Sequence, residues 1–211
     1  MNNIIVIGAG GHAKVVIESL RAAGRQVDYC VATEGADCVG VKVLHGNGQL
    51  KKLRKKGYVQ AIVAIGSNII RAEMAAWVLD AGYELITVIS PHAVVSPSAR
   101  LGKGTVVLTR AVVNADAVIG DQAIINTGAV VEHDCRIGSG AHLAPLSGIG
   151  GNVTIGNRAF LGLGASVIPG VKIGSNTIVG AGAVVIADLA ANVVAVGVPA
   201  RIIKKVGEKH A

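Results

Sequence analysis

The sequence predicts two successive architectures, a small α/β unit on a parallel sheet followed by a solenoid of short strands. Three observations carry the prediction. A strand–turn–helix pattern opens at Ile4, and strand and helix signals alternate to about residue 90. From Val95 to Val185 every sixth residue is Val, Ile or Leu, sixteen positions in one register. Hydrophobic residues make up 51% of the chain and aromatic residues only 2%, and a core of small branched side chains favours regular stacked layers.

In the first unit Ile4-Ile5-Val6-Ile7 reads as a buried strand, and Gly8-Ala9-Gly10-Gly11-His12 turns into an amphipathic helix from Ala13 to Arg21. Strands are expected near 26–31, 41–44, 60–64 and 85–88, with a helix across about 69–81. That makes a parallel-sheet unit too short for a full dinucleotide-binding fold. Ser90-Pro91-His92 hands over to the repeat, so the domains are expected at 1–90 and 91–211.

In the second unit a further register lies four residues after each aliphatic one, running Ala99, Thr105, Ala111, Ala117 and onward to Ala183, and every member is small. One branched and one small side chain turned inward every six residues describe a solenoid with a narrow interior. Helix periodicity cannot produce that pattern. Glycine follows the aliphatic residue at 102, 120, 138, 156, 162, 174 and 180, where a turn needs positive φ or a flat surface. After Val185 the period lapses, and the segment around Val196-Gly197-Val198-Pro199-Ala200-Arg201 is expected to cap the open end.

The formal charge is +7, concentrated in Lys51-Lys52-Leu53-Arg54-Lys55-Lys56 and in the tail around Lys204, Lys205 and Lys209. Neither run is interleaved with aromatic residues, so both read as solvated faces and no nucleic-acid partner is expected. Cys30, Cys38 and Cys135 form no CxxC pair, which fits a reducing compartment. The N-terminus has no basic segment followed by an apolar stretch, and nowhere do eighteen apolar residues run together. A cytoplasmic protein without membrane insertion is expected.

Three places carry candidate chemistry. The glycine turn at Gly8–Gly11 follows a strand and opens a helix, the setting in which backbone N–H groups receive an anion. It lacks the third glycine of the dinucleotide fingerprint, and Val31-Ala32-Thr33 ends the second strand without an acid, so phosphate or nucleotide contact is favoured and NAD is not. His133 lies in Val131-Glu132-His133-Asp134-Cys135, at or near a solenoid corner. A lone surface histidine is ordinarily inert, but either acidic neighbour would raise its basicity and hold its tautomer, as a general base requires, and Gly148-Ile149-Gly150-Gly151 leaves open space one coil later. His142 is expected to turn outward, either to donate to a thioester carbonyl or to fill a subunit contact. Cys135 falls in the small inward register and reads as filler.

With those residues in view the whole chain resembles the bacterial sugar O-acyltransferase and aminosugar N-acetyltransferase family. The resemblance runs through Gly8-Ala9-Gly10-Gly11-His12-Ala13-Lys14, Ala64-Ile65-Gly66-Ser67-Asn68, Ile124-Ile125-Asn126-Thr127, Glu132-His133-Asp134-Cys135 and Gly197-Val198-Pro199-Ala200-Arg201. It implies a small Rossmann-like α/β domain that holds a sugar nucleotide, then a left-handed parallel β-helix of hexapeptide repeats. Three hexapeptides would make each triangular coil, giving about five coils. It also implies a homotrimer with acetyl-CoA as co-substrate in the groove between neighbouring β-helices, and no metal. By the same resemblance His133 is the base and Asp134 its acidic partner, while His142, Gly151 and Gly164 line the coenzyme arm. Gly10, Gly11, His12, Gly66, Ser67 and Asn68 are the expected substrate-binding residues.

The implied reaction is N-acetylation of a UDP- or GDP-linked 4-amino-4,6-dideoxysugar. The chain departs from the family at Ala32-Thr33, where relatives carry Asp against the nucleotide. The alternatives are O-acetylation of a sialic acid or another sugar, a zinc enzyme resembling the β-helical carbonic anhydrases, and a noncatalytic assembly subunit.

Overall fold

The computed structural model describes residues 4–46 and 48–208, so the tail residues Lys209 and His210 lie outside the described residues. The chain divides into two compact units that meet between Pro91 and His92.

The first unit holds β1 (Ile4–Ile7), α1 (Gly11–Ala22), β2 (Val27–Val31), β3 (Asp37–Cys38), β4 (Val41–Leu44), α2 (Gln49–Lys55), β5 (Gln60–Val63), α3 (Asn68–Asp80) and β6 (Glu84–Leu85). These strands form a six-stranded sheet in the order β3-β4-β2-β1-β5-β6. Only the short β3 runs antiparallel to its neighbour β4. All four residues of β1 are buried, as a central strand covered on both faces requires. Because β2 and β5 lie on opposite sides of β1, the chain reverses its winding there, and a crevice opens beyond the carboxyl ends of these strands.

Helix α1 begins at Gly11, two residues before the expected start, and buries Ala13, Val16, Ile17 and Leu20 along one stripe. Leu50, just before the basic run, and Leu53 within it are buried one helical turn apart, and they fold the segment into α2, an element the charge count concealed. The segment expected as one strand at 85–88 is divided into β6 and a separate two-residue strand at Val88–Ile89.

The second unit is a parallel β-helix of about six turns, of the left-handed hexapeptide type. Two-residue strands pair in register with strands eighteen residues on, as in Val112↔Val130, Val118↔Arg136 and Ile124↔His142. The turn beyond the expected five comes from outside the readable period, where Val193–Val196 adds to Ile178–Val179 and then pairs antiparallel with Arg201–Lys205. The core is the two inward registers: Val113, Ile119, Ile125, Val131, Ile137 and Leu143 interleave with Ala117, Ala123, Ala129, Cys135 and Ala141, all buried.

Positive φ falls in a register of its own. Gly104, Arg110, Asp116, Gln122, Gly128, Asp134, Gly140, Leu146 and Asn152 all lie at φ between 57° and 67°, one left-handed residue per hexapeptide. The glycines after the aliphatic position do not share that conformation; they answer to space. A Cβ on Gly138 would lie 2.5 Å from the Asn157 backbone nitrogen, and one on Gly120 would lie 2.6 Å from that of Ser139. Gly148 has ordinary φ as well, yet a Cβ there meets nothing within 4 Å. Gly138→Ala should therefore lower stability by about 1–3 kcal/mol, while Gly148→Ala stays within about 0.5 kcal/mol of the parent. Guanidinium unfolding of the two variants checks this, and equal losses would contradict the close-approach account.

Candidate active site

The corner between the strands at 130–131 and 136–137 carries His133 and Asp134. Asp134 occupies the left-handed corner position with φ 60°, a conformation Asp tolerates better than most residues. Its short side chain folds back onto the preceding ring, and His133 Nδ1 donates to Asp134 Oδ2 at 2.8 Å. That bond leaves the lone pair on Nε2. It is also the largest reason the His133 pKa is raised above 6.5; partial desolvation opposes it, and the charges of Asp134 and Glu132 add to it.

Both acidic neighbours were candidates for this role, and the structure separates them. Glu132 Oε2 accepts from Asn114 Nδ2 of the preceding coil at 2.9 Å, so its side chain serves the corner below and reaches His133 only through its charge. The imidazole lies against Gly151 of the next coil, where an added Cβ would sit 2.6 Å from both Cε1 and Nε2. The space expected beside Gly151 is thus filled by the His133 ring itself. Gly164, at φ 65°, and Gly148 do face open space.

His142 projects from its strand as expected, yet it is only 8% exposed. Its ring meets Phe160 edge to face at a centroid distance of 5.2 Å, on the next strand of the same face. Its Nε2 lies 3.0 Å from Asn126 Nδ2. The Asn126 amide is oriented by the backbone N–H of Thr127, which donates to Oδ1 at 2.8 Å. Nδ2 therefore faces His142 as a donor, Nε2 accepts, and the ring proton resides on Nδ1. Asn126 belongs to a motif that marked the family, but nothing in the sequence alone tied it to His142.

A cavity of about 680 Å³ opens at the carboxyl ends of the sheet in the first unit. Gly8–Gly10 after β1, Ala32–Gly35 after β2 and Ile65 after β5 contribute to its wall, and Ile70, Met74 and Trp77 of α3 form an apolar side. Gly8 is required by the fold: at φ 111° an added Cβ would meet the Ala64 carbonyl oxygen at 2.9 Å. A Cβ on Gly10 or Gly11 would meet nothing within 4 Å, and no side chain caps α1, so its first N–H groups face space left by two side chains the sequence omits.

Among the expected substrate-binding residues, Gly10 lines this cavity. Gly11 and His12 form the first turn of α1 beside it. His12 has its pKa lowered to about 4 by burial and by the nearby Arg71 charge, so the ring is neutral at ordinary pH. Gly66, Ser67 and Asn68 carry structural bonds. Ser67 Oγ accepts from Ile70 N at the start of α3, Asn68 Oδ1 accepts from Arg71 Nη2 at 2.8 Å, and the Gly66 carbonyl accepts from Arg71 Nη1 at 3.1 Å. Arg71 is fully buried, and burial lowers its pKa to about 10, so it remains a cation behind the cavity wall. Sequence reasoning passed over Arg71, because a lone arginine in a helix gives no sign that it is buried. Among the described residues no three His, Cys, Asp or Glu side chains gather as metal ligands, and no helix is long and apolar enough to cross a membrane.

Comparison with known proteins follows this division. Residues 3–78 match the PglD N-terminal domain, and residues 116–151 and 152–187 each match the bacterial transferase hexapeptide of six repeats. The structure of PerB from Caulobacter crescentus in complex with CoA and GDP-perosamine is 52% identical with a TM-score of 0.94, covering 96% of this chain and 98% of that one. The acetyltransferase domain of PglB from Neisseria gonorrhoeae, in complex with acetyl coenzyme A, is 35% identical with a TM-score of 0.90, covering 96% and 99%. UDP-N-acetylbacillosamine N-acetyltransferase of Bacillus subtilis (strain 168) is 39% identical over 114 residues, 51% of this chain, and the match spans about half (52%) of that relative's length.

The hydrogen bond from His133 to Asp134 predicts a titration. In Asp134→Asn the His133 pKa should fall towards 6.5, since the largest cause of its elevation is removed. NMR of the imidazole Cε1–H across pH 5–9 reads this directly, and an unmoved midpoint would contradict the assigned pairing.

Proposed function

This chain belongs to the bacterial sugar O-acyltransferase and aminosugar N-acetyltransferase family, and from that membership we propose that it transfers an acetyl group from acetyl-CoA to the amino group of a GDP-linked 4-amino-4,6-dideoxysugar. The observation that carries the reading is the His133–Asp134 pair, a base whose Nε2 lone pair is held ready at a solenoid corner. Likeness over nearly the whole chain to a protein solved with CoA and GDP-perosamine favours GDP over UDP in the acceptor.

In the proposed reaction Nε2 of His133 accepts a proton from the sugar amine as its nitrogen attacks the thioester carbonyl carbon. The new C–N bond forms, the C–S bond breaks, and the proton passes on to the departing thiolate or to water. Asp134 holds the ring and stabilises the imidazolium. His142, its tautomer fixed by Asn126, is proposed to stand beside the acetyl end of the coenzyme. Open space at Gly148 and Gly164 suits passage of the coenzyme arm, whereas the proposed role of Gly151 is to seat the base.

In the first unit the α1 N-terminus at Gly10, Gly11 and His12 suits the diphosphate, and the loop at Gly66, Ser67 and Asn68, clamped by Arg71, shapes the wall behind it. A homotrimer belongs to the same reading. Leu146 and Leu163 are 68% and 55% exposed on the solenoid, and apolar side chains so placed favour burial against another copy. Three buried free cysteines fit the cytoplasm as the place of work.

Two outcomes are expected when thiol release from acetyl-CoA is followed with GDP-, UDP- and dTDP-linked aminosugars and with sialic acids. His133→Ala should lower kcat by roughly 10²–10⁴-fold without loss of the folded assembly. Gly151→Ala should lower kcat with a smaller effect on KM for the sugar, because the added methyl must displace the imidazole ring. Turnover with sialic acids alone would overturn the aminosugar assignment.

A further inference from the structure

The cavity of the first unit carries an acid in the loop beyond β2. Ala32 and Thr33, the two residues after β2, bring no carboxylate, yet the next residue, Glu34, lines the cavity together with Gly35. The loop is anchored on both sides of it. Ala32 donates its N–H to the Leu44 carbonyl at 3.2 Å and accepts from His45 Nδ1 at 3.1 Å, while the Ala36 carbonyl accepts from Val43 N at 3.0 Å. Thr33, Glu34 and Gly35 therefore project from a fixed base, and the Glu34 carboxylate forms no hydrogen bond or ion pair with any described residue. Among the described residues it is the only charged side chain in the lining, set in a cavity whose other side is Ile65, Ile70, Met74 and Trp77.

A planar base fits between such apolar side chains, which hold any base alike and supply no selectivity. Selectivity must come from the polar group at the rim. An ionised carboxylate is purely an acceptor with two oxygens. Guanine alone among the common bases offers two adjacent donors on one edge, N1–H and the N2 amino group. Uracil and thymine offer one N–H flanked by two carbonyl oxygens, and adenine and cytosine offer an amino group beside a ring nitrogen lone pair. Against these a carboxylate oxygen faces a lone pair, which is repulsive.

We propose that Glu34 is the nucleobase-reading residue of this protein, accepting from N1–H and the N2 amino group of guanine and so selecting GDP-linked over UDP- or dTDP-linked sugars. The inference rests on the reading of this cavity as the sugar-nucleotide site. It also restricts the supply of substrate: the acceptor must come from an aminotransfer reaction on a guanosine-diphosphate sugar.

The test is binding of GDP and UDP, each titrated calorimetrically into the full-length protein and into Glu34→Gln, with melting temperatures confirming that both are folded. The parent should bind GDP more tightly than UDP. Glu34→Gln, which keeps the size but replaces one acceptor by a donor, should lose roughly 10–100-fold in GDP affinity while UDP binding holds or improves. If both proteins bind GDP and UDP without distinction, Glu34 does not read the base and the nucleotide site stands. If the parent prefers GDP and the variant keeps that preference, another group reads the base. If neither nucleotide binds the parent, the sugar-nucleotide reading falls and this inference with it.

Discussion

Hydrogen bonding between residues such as Val130 and Gly148 sets successive coils one strand spacing apart, about 4.8 Å, and the candidate base is a product of that closeness. At so short a separation a side chain on one coil stands directly over the same register of the next. Glycine at 138 and 156 lets backbone lie against backbone, and the corners turn through left-handed residues of which Asp134 is one. His133 precedes that corner, so its ring is carried outward and up against position 151. A side chain at 151 would push the ring away; its absence gives the ring a floor. Two local choices, Asp at a corner that tolerates it and Gly one coil later, thus turn an ordinary repeat into a held imidazole.

A different economy of charge governs the first unit. Arg71 is fully buried, and its guanidinium is met by the carbonyls of Ile65 and Gly66 and the amide oxygen of Asn68. These three acceptors are neutral, so the bonds they make hold the guanidinium in place as a cation that contributes positive potential behind the loop. The nearby His12 responds by remaining neutral. Adding the uncapped start of α1 gives the carboxyl end of the sheet a field that favours an anion, with no lysine in the cavity lining among the described residues.

The period of six made the solenoid legible, because stacking repeats one steric demand at every rung and selection on sixteen rungs leaves a trace no single residue could. The same logic explains where reading stopped. The last turn is built by Val193–Val196, where the period has already lapsed and the pairing alone maintains the stack. Helix α2 was hidden because two buried leucines suffice to dock it while the cations Lys51, Lys52, Arg54 and Lys55 fill most of the rest of it. His133 and Asp134 could be named because they are adjacent in sequence. Asn126 and His142 are sixteen residues apart, and Gly8 and Ala64 further still, so their meeting depends on coil and sheet geometry that local pattern does not encode. Glu34 escaped because acids were sought at the strand end rather than in the projecting loop after it.

The exposure of the base constrains how the proposed chemistry is driven. His133 and Asp134 have side chains 62% and 57% exposed in the single chain, and water screens a pair so placed. Their pairing fixes the tautomer and direction of Nε2 more than it supplies driving force. Rate must then come from delivering the amine to a base already aimed, and from excluding water at the moment of attack. In the proposed reading delivery falls to the nucleotide: a diphosphate and base held by the first unit would provide binding energy remote from the reacting nitrogen, the kind of energy that can be spent on orientation. Exclusion falls to the coenzyme and, in the proposed trimer, to a neighbouring solenoid. If the proposed base and trimer are right, the single chain holds the base in an incomplete site, and assembly would contribute to turnover as directly as any one side chain.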